Sequence, residues 1–367
     1  MPNIWAWVSV AMCSVGLAAA AAEAAPRARG PKTGSTVCLR YPGDALPPFE
    51  RTAAEDYSEA RIVASADGEA IAMSDQVGRV VVWSRREPGR PRQFPSYGEV
   101  EVLTSHGGLY LRREERLFRV DTETGNEGMY SEKTPCPSPS GVASVRGDDS
   151  GRFVAVARHV DEKARHWELL SIDDQAVARL VRSREEGCAA AEDKTGPTAT
   201  KVIYSAEIPI ADAEVTKDHA WIVEGSPGTT RSLVELAAPR REVLSRLVGG
   251  HGWAVTLEGS LLEWDSGDAR LGISTKRGRH DINVRPSAPP NEHCLSIAAL
   301  GYGLAAVKES CLEPGESQWH VIDVKAERIV WSAPVRSGGI GVGPDRTVMI
   351  PERRGLCLYA LREVRPN

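Results

Sequence analysis

Beyond its first residues, the sequence lacks any apolar run approaching the roughly 20 residues that a membrane-spanning helix requires. It also lacks an excess of one charge, since 45 Lys and Arg residues stand against 50 Asp and Glu residues and the two signs are interspersed. Proteins that bind nucleic acid or anionic membranes usually carry a basic stripe. We therefore predict a chain that, once its N-terminal segment is removed, neither inserts into a membrane nor binds nucleic acid.

Motifs of several enzyme classes are missing as well. The chain has no Gly-x-Ser-x-Gly elbow, no Walker phosphate loop and no Cys-x-x-Cys pair. None of its eight histidines are spaced four residues apart, as the two zinc ligands of a metalloprotease helix are. The sequence therefore identifies no catalytic residue, cofactor site or metal site, and the prediction leans away from an enzyme.

The N-terminus has the order of a secretory signal peptide. An apolar run from Ile4 to Ala22 is followed by Ala22-Glu23-Ala24, the small-residue pattern of a cleavage site. No Lys or Arg precedes the run, so an N-terminal membrane anchor is the alternative. We predict a signal peptide over residues 1–24, a flexible linker over 25–34, one domain over 35–367, and a periplasmic or secreted location.

The rest of the chain repeats short strands. Segments of four to seven residues alternate apolar and polar positions, which is the period of a strand, and Gly and Pro separate them. Seven of these strands end in an apolar anchor, on average 46 residues apart, near the blade length of β-propellers. The anchors are Trp83, Val120, Ile172, Leu236, Trp264, Ile322 and Tyr359. We predict an all-β propeller of seven blades, with six or eight as alternatives and a β-sandwich pair or β-solenoid as the rival folds.

Two segments carry family resemblances. Residues 65–84, with turns at Asp67-Gly68 and Val77-Gly78, resemble a degenerate WD40 blade, and residues 106–126 look like a blade of the quinoprotein-like propellers. A quinoprotein dehydrogenase would imply adjacent cysteines near its cofactor, and the chain has no Cys-Cys step, so no cofactor is predicted. A Gly-His and a Trp-Asp also occur, but only twelve residues separate His251 from Trp264. Two strands do not fit between them, so these dipeptides do not define a WD40 repeat.

Three polar groups stand out in predicted loops. His159 and His166 with Asp161 and Glu162 could hold a metal, but a solvated hairpin turn is favoured. Asp121 and Glu123 with Gly125 resemble a calcium loop whose run of ligands stops after two, so an ordinary hairpin turn is favoured. His280-Asp281 and His293-Cys294 bracket a Pro-rich insert and could form a polar cluster, but a solvated loop is favoured.

Cysteines provide the most specific predictions. With Cys13 in the signal peptide, six remain, and an even number in an exported chain indicates disulfides. Cys38 lies in a short strand near the start of the domain and Cys357 in the last apolar strand, so we predict that these strands pair and that the bond closes the ring. A second bond is predicted between Cys294 and Cys311 across a hairpin, and a third between Cys136 and Cys188 on adjacent blades.

These features favour an exported propeller that acts as a binding or assembly scaffold and is a monomer. Its loops would bind a protein or polysaccharide partner, because the function of a propeller lies in its loops and the blades serve as scaffold. The alternative is a lyase or hydrolase that uses carboxylates and histidines at the mouth of the central channel. Convergent His, Asp, Glu or Arg residues at that mouth would favour the enzyme, and a broad apolar patch on a face or rim would favour the scaffold.

Overall fold

A computed structural model describes much of the chain. The described residues are 36–42, 60–75, 78–87, 89–113, 116–125, 127–129, 142–147, 152–160, 165–175, 200–215, 220–225, 231–237, 240–247, 252–255, 260–264, 270–275, 278–284, 293–311, 317–335, 339–352 and 355–361. The predicted signal peptide and linker, residues 1–34, lie outside these ranges, as do Cys136 and Cys188.

The described strands form antiparallel sheets of four strands each, which confirms the predicted all-β class. Sheet 1 contains β2 (Arg61–Ala64), β3 (Ala70–Ser74), β4 (Arg79–Ser84) and β5 (Arg92–Tyr97). Sheet 2 contains β6 (Glu99–Leu103), β7 (Gly108–Arg113), β8 (Arg116–Asp121) and β9 (Glu127–Met129). Sheet 3 contains β10 (Val142–Gly147), β11 (Arg152–Val160), β12 (Arg165–Asp173) and β13 (Thr200–Ala206).

Sheets 4 to 7 continue the same order along the chain. Sheet 4 contains β14 (Ile210–Val215), β15 (Ala220–Glu224), β16 (Arg231–Ala237) and β17 (Arg240–Leu247). Sheet 5 contains β18 (Gly252–Val255), β19 (Leu261–Trp264), β20 (Arg270–Thr275) and β21 (Gly278–Asn283). Sheet 6 contains β22 (His293–Gly301), β23 (Leu304–Cys311), β24 (Gln318–Asp323) and β25 (Arg328–Pro334). Sheet 7 contains β26 (Gly341–Gly343), β27 (Thr347–Glu352), β28 (Gly355–Ala360) and the N-terminal strand β1 (Thr36–Arg40).

The sequence anchors fall on equivalent strands, with one exception. Six of them lie on the third strand of their sheets, where sheet 7 is counted from β26. Trp264 instead lies on β19, the second strand of sheet 5. Ile273 on β20 is the equivalent position, and it lies 37 residues after Leu236 and 49 before Ile322. Trp264, only 28 residues after Leu236, is therefore a misplaced anchor, and sheet 5 has all four strands.

Trp264 lies on the second strand of sheet 5. It pairs with Gly252, the first residue of β18, whereas the Gly-His dipeptide before Gly252 lies outside the described residues. The indole of Trp264 packs against the apolar cluster between sheets 5 and 6. Trp264 thus fills space between two sheets, as predicted, and the absence of a WD40 repeat at the Gly-His and Trp-Asp dipeptides stays a prediction.

Successive sheets pack face to face through apolar clusters. Described clusters join sheet 1 to sheet 2, sheet 3 to sheet 4, sheet 4 to sheet 5, sheet 5 to sheet 6, and sheet 6 to sheet 7. A further cluster joins sheet 7 to sheet 1, where Leu356 and Met349 pack with Trp83 and Ile71. Because alternate residues of a strand point to opposite faces, the apolar run Ile71-Ala72-Met73 of β3 contributes to two of these clusters at once.

The N-terminal strand completes sheet 7. β1 pairs antiparallel with β28, Cys38 lies directly opposite Cys357, and the two form a disulfide across 319 residues of sequence. The indole Nε1 of Trp83 in sheet 1 donates a hydrogen bond to the carbonyl oxygen of Arg40 at 2.8 Å. The predicted pairing of Cys38 with Cys357 is confirmed.

The hairpin that carries the second predicted disulfide is formed by β22 and β23. β22 and β23 pair antiparallel, with Cys294 opposite Ser310 and Cys311 opposite His293. The two cysteines are thus one position out of direct register, and their bond stays a prediction.

Among the described residues, no helix is long and apolar enough to cross a lipid bilayer.

Candidate functional site

Antiparallel order brings specific residues together at one end of each sheet. Where the first strand of a sheet begins, its second strand ends, and we call this the start end of the sheet. Arg61 opens β2, Glu99 opens β6 and Arg112 lies at the close of β7. The start ends of sheets 1 and 2 therefore gather charged residues from different strands at one place.

A cluster of two arginines and two glutamates occupies this place. Arg61 donates to both carboxylate oxygens of Glu101, at 3.0 and 3.1 Å, and its Nη2 lies 3.4 Å from Glu99. Arg112 donates from Nε to Glu101 and from Nη2 to Glu99, each at 2.6 Å. The four charges cancel in sum, and we call this group the start-end charge cluster.

The electrostatics of the cluster favour the charged form of Arg112. Burial by itself would lower the pKa of Arg112, but the charges and hydrogen bonds of Glu101 and Glu99 outweigh it and raise that pKa. Glu101 is nearly buried, whereas Glu99 and Arg61 are about half exposed. The cluster is thus anchored below the surface and presents one charge of each sign to the solvent.

An exposed tyrosine stands beside the cluster. The Tyr97 side chain is 63% exposed, and the Arg113 guanidinium lies over its ring at 4.5 Å and over the Phe118 ring at 4.3 Å. Arg113 also donates to the carbonyl oxygen of Tyr97 and forms a two-point ion pair with Glu127. Such cation–π stacking holds the tyrosine ring in one place before any partner arrives.

Gly98 allows this close approach between the strands. Its φ is +141°, and a Cβ at this position would lie 2.9 Å from Cγ of Arg113 and 3.0 Å from the carbonyl oxygen of Arg112. A side chain would displace the arginine from Tyr97, so this turn requires glycine.

A buried polar group joins sheets 2 and 3. Asp174, which is 1% exposed and directly follows β12, accepts hydrogen bonds from Thr104 Oγ1 at 2.7 Å, Tyr110 OH at 2.6 Å and Arg119 Nε at 2.7 Å. Burial by itself would lower the pKa of Arg119, but its hydrogen bond to Asp174 and the Asp174 charge raise it. Tyr110 and Arg119 lie on strands of sheet 2 and Thr104 directly follows its first strand, so the group joins sheets 2 and 3.

A second buried polar group crosses sheet 6 at its start end. Glu309 on β23 is 0% exposed, and its Oε2 lies 3.1 Å from Nε2 of His320 on β24, which is 4% exposed. Nδ1 of His320 lies 2.8 Å from Oγ of Ser332 on β25. This carboxylate–imidazole–hydroxyl chain runs from the interior to a residue of intermediate burial.

The polar groups weighed in the sequence have other surroundings. Asp121 accepts hydrogen bonds from the backbone N–H groups of Glu123 and Thr124, which is the hairpin turn that the sequence favoured. His159 and His166 lie opposite each other on β11 and β12, and His280 is exposed with Nδ1 3.9 Å from Glu327. In the described part of the chain, no three His, Cys, Asp or Glu side chains come together as metal ligands do.

Sequence reasoning missed Asp174, Glu309, His320 and Ser332. A signal existed for two of them. Glu309 follows Ala305 and Val307 at the strand period, and His320 precedes Ile322 in the same way, so a polar residue stands where the core face continues. A buried polar residue on a core face requires a hydrogen-bond partner. A polar residue in an otherwise apolar strand face therefore predicts a buried hydrogen-bonded group.

No family model and no curated protein sequence matches the chain. Among solved structures, a streptogramin B lyase is similar at a TM-score of 0.51 and 12% identity, over 89% of this chain and 98% of that one. Virginiamycin B lyase from Staphylococcus aureus has a TM-score of 0.48 at 11% identity over 89% and 99% of the two chains. An oligogalacturonate lyase from Vibrio parahaemolyticus has a TM-score of 0.49 at 11% identity over 82% and 88%. At such identities the likeness concerns the fold alone, and that fold is the β-propeller.

Proposed function

We propose that the sheets are the seven blades of one closed ring, with β1 as the outermost strand of the last blade. The apolar clusters between consecutive sheets support this arrangement, as does the cluster between sheets 7 and 1. Sheets 2 and 3 are joined by the Asp174 group. In such a ring the first strand of each sheet lines a central channel, and the start ends of all sheets share one face.

The disulfide provides the test of closure. A bond across about 320 residues stabilises by roughly 5 to 6 kcal/mol in the chain-entropy model, an upper value because strain and residual unfolded structure reduce it. Cys38→Ser and Cys357→Ser should therefore lower the melting temperature by similar amounts, and a reducing agent should do the same to the unmodified protein. Widely different effects of the two substitutions would contradict closure by this pair.

We further propose that the protein is exported and functions as a monomeric binding scaffold, with residues 1–24 removed and 25–34 as a linker. The disulfide supports export, because such bonds persist mainly in oxidising compartments. Intact-mass measurement of the exported protein tests the cleavage, and a mass that includes residues 1–24 would indicate an anchor.

The observation that carries the binding function is the exposed Tyr97 beside the start-end charge cluster. Tyrosine and arginine dominate the binding energy of protein interfaces, since they combine apolar area with directed hydrogen bonds. Tyr97 is exposed and yet stacked on Arg113, so little conformational entropy is lost when a partner covers it. The half-exposed Arg61 and Glu99 supply charges of both signs at the rim, which favours a protein partner over a neutral polysaccharide.

A photo-crosslinking amino acid at position 97 tests this surface. In the native envelope, we expect one specific protein adduct from position 97 and none from position 208, where Ile208 is also exposed. Tyr97→Ala should then weaken binding of the purified partner by at least about tenfold, as a central interface tyrosine does. Equal adducts at both positions, or polysaccharide binding that Tyr97→Ala leaves unchanged, would refute the proposed surface.

The alternative, a lyase or hydrolase at the mouth of the channel, has one observation in its favour. Glu99 and Glu101 lie on the first strand of sheet 2 and converge with two arginines. Both carboxylates are already held by guanidinium groups, an arrangement that suits charge recognition better than proton transfer. An enzyme of this kind should lose turnover in Glu101→Gln while its fold is kept.

A further inference from the structure

We propose that Ser332 is a nucleophile for acyl transfer from small carboxylic esters, with His320 as its base and Glu309 as the residue that orients the imidazole. This site lies in sheet 6, whereas the start-end charge cluster lies in sheets 1 and 2. It goes beyond the binding function proposed above. Its three residues come from three adjacent strands, so only the antiparallel register of β23, β24 and β25 brings them together.

The hydrogen-bonding partners determine which imidazole nitrogen carries the proton. In the proposed site Glu309 is ionised, and because an ionised carboxylate can only accept hydrogen bonds, its Oε2 accepts from a protonated Nε2 of His320. In the neutral imidazole, Nδ1 is then a free acceptor, and the Ser332 hydroxyl donates to it. This is the protonation pattern of a nucleophile with a general base and an orienting third group.

Burial along the chain of groups decreases toward the hydroxyl. Glu309 and His320 are enclosed between sheets 5 and 6, on the same face as Val307 and Ile322, whereas Ser332 has intermediate burial. Burial of the carboxylate and imidazole strengthens their interaction. Ser332 is only partly covered, and this partial burial favours a small acyl group.

The strand register also supplies a backbone donor beside the nucleophile. The N–H of Val335 donates to the carbonyl oxygen of Ser317 at 2.9 Å, and hydrogen-bonded pairs alternate along an antiparallel ladder. Ser332 and His320 therefore form a non-hydrogen-bonded pair, in which side chains approach closely. The N–H of Ser332 points away from β24, at the outer edge of the sheet, where it can donate to the oxyanion of an acyl intermediate.

The reaction balances with water as the co-reactant. Ser332 Oγ attacks the ester carbonyl carbon, and its proton passes to Nδ1 of His320. The C–O bond to the leaving alcohol breaks, and that alcohol takes the proton from His320, which leaves an acyl-serine. Water then attacks the acyl carbon with His320 again as base, and releases the carboxylic acid and the free serine.

A fluorophosphonate probe tests the nucleophile on the full-length protein. We expect one covalent adduct, mapped by peptide mass spectrometry to Ser332, together with slow release of nitrophenol from p-nitrophenyl acetate. Ser332→Ala should abolish both, and His320→Gln should lower the labelling rate on the order of 10²- to 10⁴-fold. Ser84→Ala is the matched control, since Ser84 is also half-buried at the end of a strand but accepts from the backbone N–H of Arg86, and it should leave labelling unchanged.

Site mapping in the unmodified protein makes the test independent of variant folding. An unlabelled Ser332, or labelling that survives His320→Gln in a folded protein, would overturn the proposal.

The role of Glu309 is tested separately by the ¹⁵N chemical shifts of the His320 ring. We expect the Nε2–H tautomer in the unmodified protein and a mixture of tautomers in Glu309→Gln, whereas an Nδ1–H tautomer in the unmodified protein would exclude the base role.

Discussion

Two buried carboxylates, Asp174 and Glu309, have different partners. Asp174 bridges sheets 2 and 3 and accepts hydrogen bonds from two hydroxyls and a guanidinium. Glu309 contacts an imidazole whose other nitrogen meets the half-buried Ser332 hydroxyl. Hydrogen bonds from groups that stay protonated, as at Asp174, hold the sheets together, whereas a carboxylate linked through an imidazole to a hydroxyl, as Glu309 is, can direct a proton.

The backbone of sheet 2 lies very close to the Asp174 carboxylate. Gly108 faces it, and a Cβ at that position would lie 2.2 Å from Asp174 Oδ1. Sheets 2 and 3 thus approach each other closely at this polar group. The comparison predicts that changes at Asp174 cost stability and that changes at Ser332 cost reactivity.

The largest effect is expected from Asp174→Ala. This substitution leaves the buried Arg119 guanidinium without its main partner, and breaking a buried ion pair costs about 3–5 kcal/mol. Urea unfolding measures the loss. Asp281→Ala, which breaks an exposed pair with Arg279, is the control and should cost less than about 1 kcal/mol. Equal losses in the two variants would mean that the Asp174 group does not join the sheets.

Tyr110→Phe should have the next largest effect. It removes one hydrogen bond to a charged group, which contributes about 1.5–3 kcal/mol, and keeps the ring in the core. The same urea titration measures it. A neutral result would show that Thr104 and Arg119 suffice to satisfy Asp174.

A third carboxylate, Asp323, gives a pH-dependent test of intermediate size. Burial would raise its pKa, but hydrogen bonds from the Ala326 N–H and from Arg346 at 2.6 Å lower it below the ordinary value of Asp. Because the folded pKa lies below the unfolded pKa, its contribution is full above the unfolded value, about 4, and is lost as the pH falls through the folded value.

Asp323→Asn should therefore flatten the decline of stability below about pH 4 while it lowers stability at neutral pH. Thermal unfolding from neutral to acid pH measures both. A variant whose acid decline is as steep as that of the unmodified protein would show that other carboxylates cause it.

Ser332→Ala should have the smallest effect on stability. The hydroxyl is half-buried and His320 keeps its contact with Glu309, so we expect a change of less than about 1 kcal/mol. Denaturant unfolding measures it beside Tyr110→Phe, since each variant removes one hydroxyl from a buried group. A loss as large as that of Tyr110→Phe would place Ser332 among the groups that hold the fold.

Several features could be predicted from the sequence alone. The two-residue period and the turn glycines indicated an all-β chain of repeated strands, and the positions of Cys38 and Cys357 in the first and last strands predicted their bond. Trp264 was misplaced as an anchor because it ends an apolar strand as the others do, and only the pairing of β19 with β18 and β20 shows it to be a second strand. Periodicity identifies a strand but does not give its place in a sheet.

What the sequence determined by itself was local: which segments are strands, where they turn, and which faces are apolar, since these follow from side-chain alternation and backbone preferences. The tertiary structure decided which polar residues meet. Asp174 lies 70 residues from Thr104, and the union of Glu309, His320 and Ser332 depends on the register of three strands. A shift of one residue in that register would turn the side chains to opposite faces, so the sheet and not the spacing along the chain creates the contact.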